Sequence, residues 1–168
     1  NVFEESYDKL IIATGAAPFV PDVEGVSLAG VFCVRTPDDA VAIRAYAEKN
    51  NCRRAVVCGA GFIGLEVAEN LLSLKMDVTV IDAAPQIMPN AFDEEMAGYA
   101  KKQLKASGMR ILTSAALKGI AGEGHVERVT IDNGVLSADL VILAIGVRPA
   151  TGFLEGSGLE MFKGTILV

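Results

Sequence analysis

The stretch Ala55-Val56-Val57-Cys58-Gly59-Ala60-Gly61-Phe62-Ile63-Gly64, with Asp77-Val78-Thr79-Val80-Ile81-Asp82 some way behind it, decides the fold. Residues 55–58 form an apolar run of the length of a strand buried on both faces, and the run breaks at Gly59. From Ile63 the apolar residues Val67, Leu71 and Leu74 recur at helical spacing, and residues 77–81 read as strand again, ending on Asp82. This is one β-α-β unit of about thirty residues.

Gly59-Ala60-Gly61-Phe62-Ile63-Gly64 fits G-x-G-x-x-G. The hexapeptide alone is a weak signal. Here it leaves a buried strand, opens an amphipathic helix and is trailed by an acid at the end of the next strand, which makes it specific for a dinucleotide. Gly59 is expected to permit the turn, Gly61 to let a pyrophosphate approach the backbone, and Gly64 to let helix and strand pack closely. The helix mouth offers N–H groups and a positive dipole end to two phosphates, and Asp82 would accept hydrogen bonds from the adenosine ribose. A carboxylate ~4 Å from a 2′-phosphate is repelled by about 4 kcal/mol at an effective dielectric near 20, less with screening. Ala83-Ala84-Pro85-Gln86 contains no cation to offset this, so NADH is expected over NADPH.

Working outward, Thr36-Pro37-Asp38-Asp39 opens a helix with Thr36 as N-cap and Pro37 at its first position, and Val41, Ile43 and Ala47 supply the apolar faces. Another helix runs from about Asp93, with Met96, Ala100 and Leu104 on one stripe, lysines at 101, 102 and 105, and Gly108 as the stop. Strands are expected at residues 9–13, 30–34, 110–113, 140–145 and 165–168. Glycine turns at 122–124 and 132–134 bracket a small antiparallel meander of roughly residues 115–138. The fold class is α/β: a Rossmann-like three-layer domain with a parallel sheet and a small antiparallel β-meander.

The 168 residues carry 15 basic and 21 acidic side chains, a net charge of −6, at 51% hydrophobic content. A chain of this size can bury a full core without a disulfide or metal staple. The acidic balance argues against nucleic acid as a partner, and no apolar run approaches the ~20 residues of a membrane span. No secretory signal is readable at the amino end, so a cytoplasmic location is expected. Cys33, Cys52, Cys58 and His125 show no metal or disulfide spacing. His125 is read as solvated, and no metal site is expected.

Four motifs in order resemble the NAD-binding domain of the FAD-dependent pyridine nucleotide-disulfide oxidoreductases, in particular the branch of NADH oxidases, NADH peroxidases and coenzyme A-disulfide reductases. They are residues 7–15 with the connector prolines Pro18 and Pro21, the run 59–69, Val80-Ile81-Asp82 with Pro85 and Met88-Pro89, and residues 138–149. The resemblance implies NADH and FAD as cofactors, with hydride passing from NADH to FAD and on to a disulfide, peroxide, oxygen or similar acceptor. It implies that Phe62 lies over the flavin, that Glu66 neighbours nicotinamide and flavin, and that Gly146 lines the nicotinamide pocket. Ile63 is counted with the cofactor-binding loop, and Thr14-Gly15 with the FAD side. Asp82 stands where NADH users often have Glu.

No FAD-type glycine motif, redox cysteine or dimerisation domain is visible, so the chain reads as a fragment with no catalytic residue of its own. Residues 1–27 would be a remnant of the FAD domain, 28–150 the NAD domain, and 151–168 the return segment. Alone it should be colourless and inactive. Its partners would be NADH and the remainder of the flavoprotein. Apolar surface around residues 10–13 and 166–168 makes self-association to a homo-oligomer an expectation. The competing reading is a non-enzymatic NAD-sensing domain, which explains the glycine loop and Asp82 but not Thr14-Gly15 or residues 146–149. A short-chain dehydrogenase is disfavoured because none of Tyr7, Tyr46 or Tyr99 has Lys four residues on. A hydroxy-acid dehydrogenase would need a better-placed histidine, and a methyltransferase would reveal itself by competition between S-adenosylmethionine and NADH.

Overall fold

The computed structural model describes residues 3–167. In chain order the elements are β1 (Ala16–Pro18), β2 (Val31–Cys33), α1 (Pro37–Lys49), β3 (Arg54–Cys58), α2 (Phe62–Ser73), β4 (Asp77–Ile81), α3 (Glu94–Ala106), β5 (Arg110–Leu112), β6 (Leu117–Ala121), β7 (Arg128–Ile131), β8 (Gly134–Ser137), β9 (Leu140–Leu143), β10 (Val147–Pro149), β11 (Met161–Phe162) and β12 (Thr165–Ile166). They fall into two compact bodies. One is Pro18–Gly146, and the other gathers the described residues up to Ala17 and from Val147 onward.

The larger body is built on a five-stranded parallel sheet of order β2-β9-β3-β4-β5. Parallel strands need crossovers: α1 carries the chain from β2 to β3, α2 from β3 to β4 and α3 from β4 to β5, all three helices packing on the same side of the sheet, while the meander leads from β5 back to β9. Because strand side chains alternate in direction, Ala55, Val57, Val78, Val80, Leu140 and Ile142 meet the helices. Val56, Cys58, Ile81, Val141 and Leu143 meet the antiparallel meander β6-β7-β8 instead. The result is three layers, as the sequence predicts. The meander turns at Asp132-Asn133, between the paired residues Ile131 and Gly134. Burial on both faces explains why β3 and β9 read as unbroken apolar runs.

The α1 cap forms as expected. Asp39 accepts hydrogen bonds from the N–H of Thr36 at 2.7 Å, from that of Arg35 at 2.9 Å, and from the Thr36 hydroxyl at 3.0 Å. Several expectations are corrected. On α1, Ile43 and Ala47 are buried while Val41 faces solvent. On α2 the face against the sheet is Gly64, Ala68 and Leu71, whereas Ile63 and Leu74 are exposed and Val67 is half-buried. Small residues let the helix axis come near the strands, as expected of Gly64, and a stripe chosen by hydrophobicity alone misses Ala68. On α3 the buried residue is Ala97, with Ala100 and Leu104 beside it, and Met96 is 49% exposed.

In the smaller body, residues 9–13 form no strand, and Ile11 is 90% exposed. A lone extended segment has no ladder partner to define it. Strand β1 pairs with β10 instead. The strand expected at 165–168 is the two-residue β12, paired with β11 across Lys163-Gly164, both with positive φ (50° and 80°), as a tight hairpin turn demands. Val168 lies outside the described residues. The strand expected through Ile145 ends at Leu143.

Candidate nucleotide-binding site

The parallel strands β3, β4 and β9 end side by side, and a ligand crevice in such a sheet lies beyond the carboxyl ends where the strand order reverses. Here the reversal falls between β3 and β9. The chain leaves β3 at Gly59, whose φ of +108° suits glycine. A Cβ there would lie 2.2 Å from the Ala144 carbonyl oxygen at the end of β9. Gly64 is also in close contact: its Cβ would lie 1.9 Å from the Gly59 carbonyl oxygen, so α2 rests directly on the turn. Gly61 differs from both, because a Cβ at this position would meet nothing within 4 Å. These three environments are those expected of a turn glycine, a packing glycine and a glycine that leaves room for a ligand.

Gly61 is the N-cap of α2, and the Leu65 N–H donates to its carbonyl at 3.0 Å. The N–H groups of Phe62, Ile63 and Gly64 therefore precede the first hydrogen-bonded donor of the helix, have no intrahelical acceptor and lie at its positive dipole end. Around this mouth Phe62 is 70% and Ile63 49% exposed.

Asp82 follows β4 and is half-buried beside the turn. One carboxylate oxygen accepts from the Ala60 N–H at 2.6 Å and the other from the Ala84 N–H at 2.7 Å. Ala60 is held a second time, since its carbonyl accepts from the Met88 N–H at 3.0 Å, while Gly59 N–H donates to the Ile81 carbonyl at 2.8 Å. Met88 is buried with φ +51°, a backbone conformation uncommon outside glycine. The turn is thus bound to the segment after β4 through its backbone. The pairing of Asp82 with Ala84 has the i to i+2 spacing of an Asx-turn, the one part of this network that a sequence can reveal. The contacts of Ala60 and Met88 were not foreseen, and nothing in their side-chain types marks them.

Of the other expected residues, Glu66 is exposed on α2 and lines a groove of about 530 Å³ with Val34, Ile43 and Arg44 of the β2–α1 region. Gly146 is exposed with φ +119°, and its carbonyl accepts from the Phe19 N–H at 2.9 Å. Thr14 and Gly15 belong to the smaller body, where the Gly15 carbonyl accepts from the Ala150 N–H at 2.9 Å. His125 is exposed, with Nδ1 3.0 Å from the Glu123 carbonyl oxygen.

A second carboxylate works at the opposite end of the sheet. Asp139, just before β9, binds the Arg54 guanidinium and accepts from the N–H groups of Arg53 and Arg54 at 3.0 and 2.9 Å. The Arg54 side chain, above all, holds its carboxyl down to about 2. Burial pushes the Cys58 thiol up to about 12. Among the described residues no cluster of His, Cys, Asp or Glu could hold a metal ion, and no helix is long and apolar enough to cross a membrane.

The chain is similar to known proteins over its whole length. It is 43% identical over 168 residues to the NADH oxidase of Methanocaldococcus jannaschii, covering 100% of this chain and 38% of that protein. It is 38% identical to the NAD-dependent persulfide reductase of A. fulgidus, with a TM-score of 0.88 over 94% of this chain and 29% of that one. It also superposes, at TM-score 0.86 and 28% identity over 95% of this chain and 35% of the other, on an engineered NADPH-bound oxidase made from the water-forming NADH oxidase of Lactobacillus brevis. The five substitutions in that oxidase are a glycine to alanine, an aspartate to alanine 18 positions on, the next two residues, alanine and methionine, to arginine and serine, and a proline seven positions after the aspartate to arginine. The chain spans roughly a third of the length of these relatives. A model of the pyridine nucleotide-disulphide oxidoreductases matches residues 1–168, and the chain belongs to that family of enzymes, whose members use NAD(H) and FAD.

Proposed function

We propose that this chain is the NADH-binding part of an FAD-dependent oxidoreductase that passes hydride from NADH to FAD and on to a disulfide, peroxide, oxygen or similar acceptor. The carrying observation is the arrangement of Gly59, Gly61 and Gly64 with Asp82. Open space lies over Gly61, N–H groups without intrahelical acceptors stand beside it, and a carboxylate fixed by two N–H groups is next to the same turn. These groups would hold a diphosphate at the mouth of α2 and the adenosine ribose on Asp82, whose oxygens each keep a lone pair for a hydroxyl. Phe62, Glu66 and Gly146 would border the nicotinamide end. FAD, when bound, supplies the hydride acceptor, with Thr14 and Gly15 on its side of the protein. The 168-residue chain by itself is expected to bind NADH without oxidising it.

Gly64, Asp82, Ala83, Ala84 and Pro89 stand at the spacing of the five residues altered in the NADPH-bound relative, and four of the five are the same residue types. That supports NADH as the natural cofactor and the segment after β4 as the place where the two cofactors are told apart. Titration calorimetry with both nucleotides is the test. NADH should bind at least ~10-fold more tightly than NADPH, since about a third of the unscreened repulsion already gives that ratio. Binding of neither would overturn the proposal.

A further inference from the structure

We infer that Asp82 is also a positioning residue for the diphosphate loop, acting on the phosphates through the Ala60 peptide as well as on the ribose directly. This rests on the reading of the site as a nucleotide site. The 2.6 Å bond from Ala60 N–H to Asp82 joins the middle of the Gly59-Ala60-Gly61 turn to the end of the next strand. The bond from Met88 N–H to the Ala60 carbonyl fixes the other edge of the same peptide unit. Ala60 is itself fully buried, so its N–H would have no water to turn to if the carboxylate were removed. The turn that follows presents Gly61 and the first N–H groups of α2, so loss of the Asp82 contact lets the phosphate-facing amides drift from the geometry that binds an anion. The Ala84 N–H on the second oxygen prevents the carboxylate from rotating away from Ala60.

The two roles of Asp82 predict opposite signs in one experiment. The probes are ADP and 2′,3′-dideoxy-ADP, which keeps adenine and diphosphate but offers the carboxylate no ribose hydroxyl. If Asp82 served the ribose alone, Asp82→Ala would leave dideoxy-ADP binding unchanged or tighten it, because a negative charge near a diphosphate has gone. If it positions the loop, the same substitution weakens dideoxy-ADP about 3- to 10-fold, and Asp82→Asn, which keeps one acceptor oxygen, weakens it less. Calorimetry of the 168-residue chain and its variants reads the affinities, and thermal unfolding identifies any variant that does not fold. Should Asp82→Ala fail to fold, Asp82→Asn carries the test with the same sign. Unchanged or tighter dideoxy-ADP binding in the folded variant overturns the inference while leaving the NADH reading intact. Failure of the unsubstituted chain to bind ADP or NADH would instead remove the reading on which both rest.

Discussion

Gly59 and Ala144 touch across the point where the strand order of the sheet reverses: a methyl group on Gly59 would lie 2.2 Å from the Ala144 carbonyl oxygen. The obstacle is backbone directly after the central strand β9, so it cannot step aside as a flexible side chain would. Gly59→Ala also forces alanine to φ +108°. We expect a loss of about 3 kcal/mol in urea unfolding from strain and overlap together.

Gly61→Ala should behave in the opposite way. Its φ of −85° and ψ of −173° are open to any residue, and its Cβ would enter free space. Stability should fall by less than about 1 kcal/mol, the cost of a poorer N-cap. NADH affinity should fall at least ~10-fold, because the new methyl group occupies the approach of the diphosphate. Calorimetry beside urea unfolding separates the two effects, and a large stability loss with unchanged affinity would contradict the assignment.

Cofactor choice should respond to the segment after β4. Asp82→Ala combined with Ala83→Arg removes a negative charge and adds a guanidinium able to pair with a 2′-phosphate. The NADH-to-NADPH affinity ratio should drop by more than ~10-fold in calorimetric titration. A ratio that does not move would place the adenosine ribose elsewhere.

Acid should loosen the opposite end of the sheet. The Asp139 carboxyl is held at about 2, below its ordinary value of 3.8. A depressed carboxylate stabilises the fold fully above its unfolded pKa and loses that contribution as pH falls through the folded value. Stability should therefore decline between about pH 4 and pH 2. Asp139→Asn should flatten this slope and cost of order 1 kcal/mol at neutral pH, a modest figure because Arg54 is half-exposed. Urea unfolding as a function of pH checks both statements.

Thiol chemistry offers a further check. Cys58 is buried at the end of β3, and burial pushes its thiol up to about 12, so the native chain should leave it unlabelled by an aromatic disulfide reagent at pH 8. Labelling should appear only on unfolding, monitored by mass spectrometry of the modified peptide.

Much of this architecture is legible in the residues because burial on both faces leaves a strong trace. Residues 55–58 and 140–143 are apolar throughout since one side meets helices and the other the meander. The glycine turn and its distant acid are legible for a related reason, as only glycine tolerates the φ of Gly59 and the contact at Gly64. On α2, Gly64 and Leu71 are legible as packing residues, while Ala68 is hidden because it matters for its smallness and carries little hydrophobic signal. Residues 9–13 are apolar enough for a strand, yet a strand is defined by its partner and none is paired here. The grip on Ala60 uses main-chain groups of Ala60 and Met88, which every residue but proline possesses, so no letter of the sequence announces it.

Asp82 and Asp139 fasten the two opposite margins of one sheet, each by pulling neighbouring main-chain amides onto an anion. Only the first margin faces the proposed nucleotide crevice at the carboxyl ends of the strands. The acid response set by Asp139 and Arg54 can thus be retuned at one rim without touching the groups of the other.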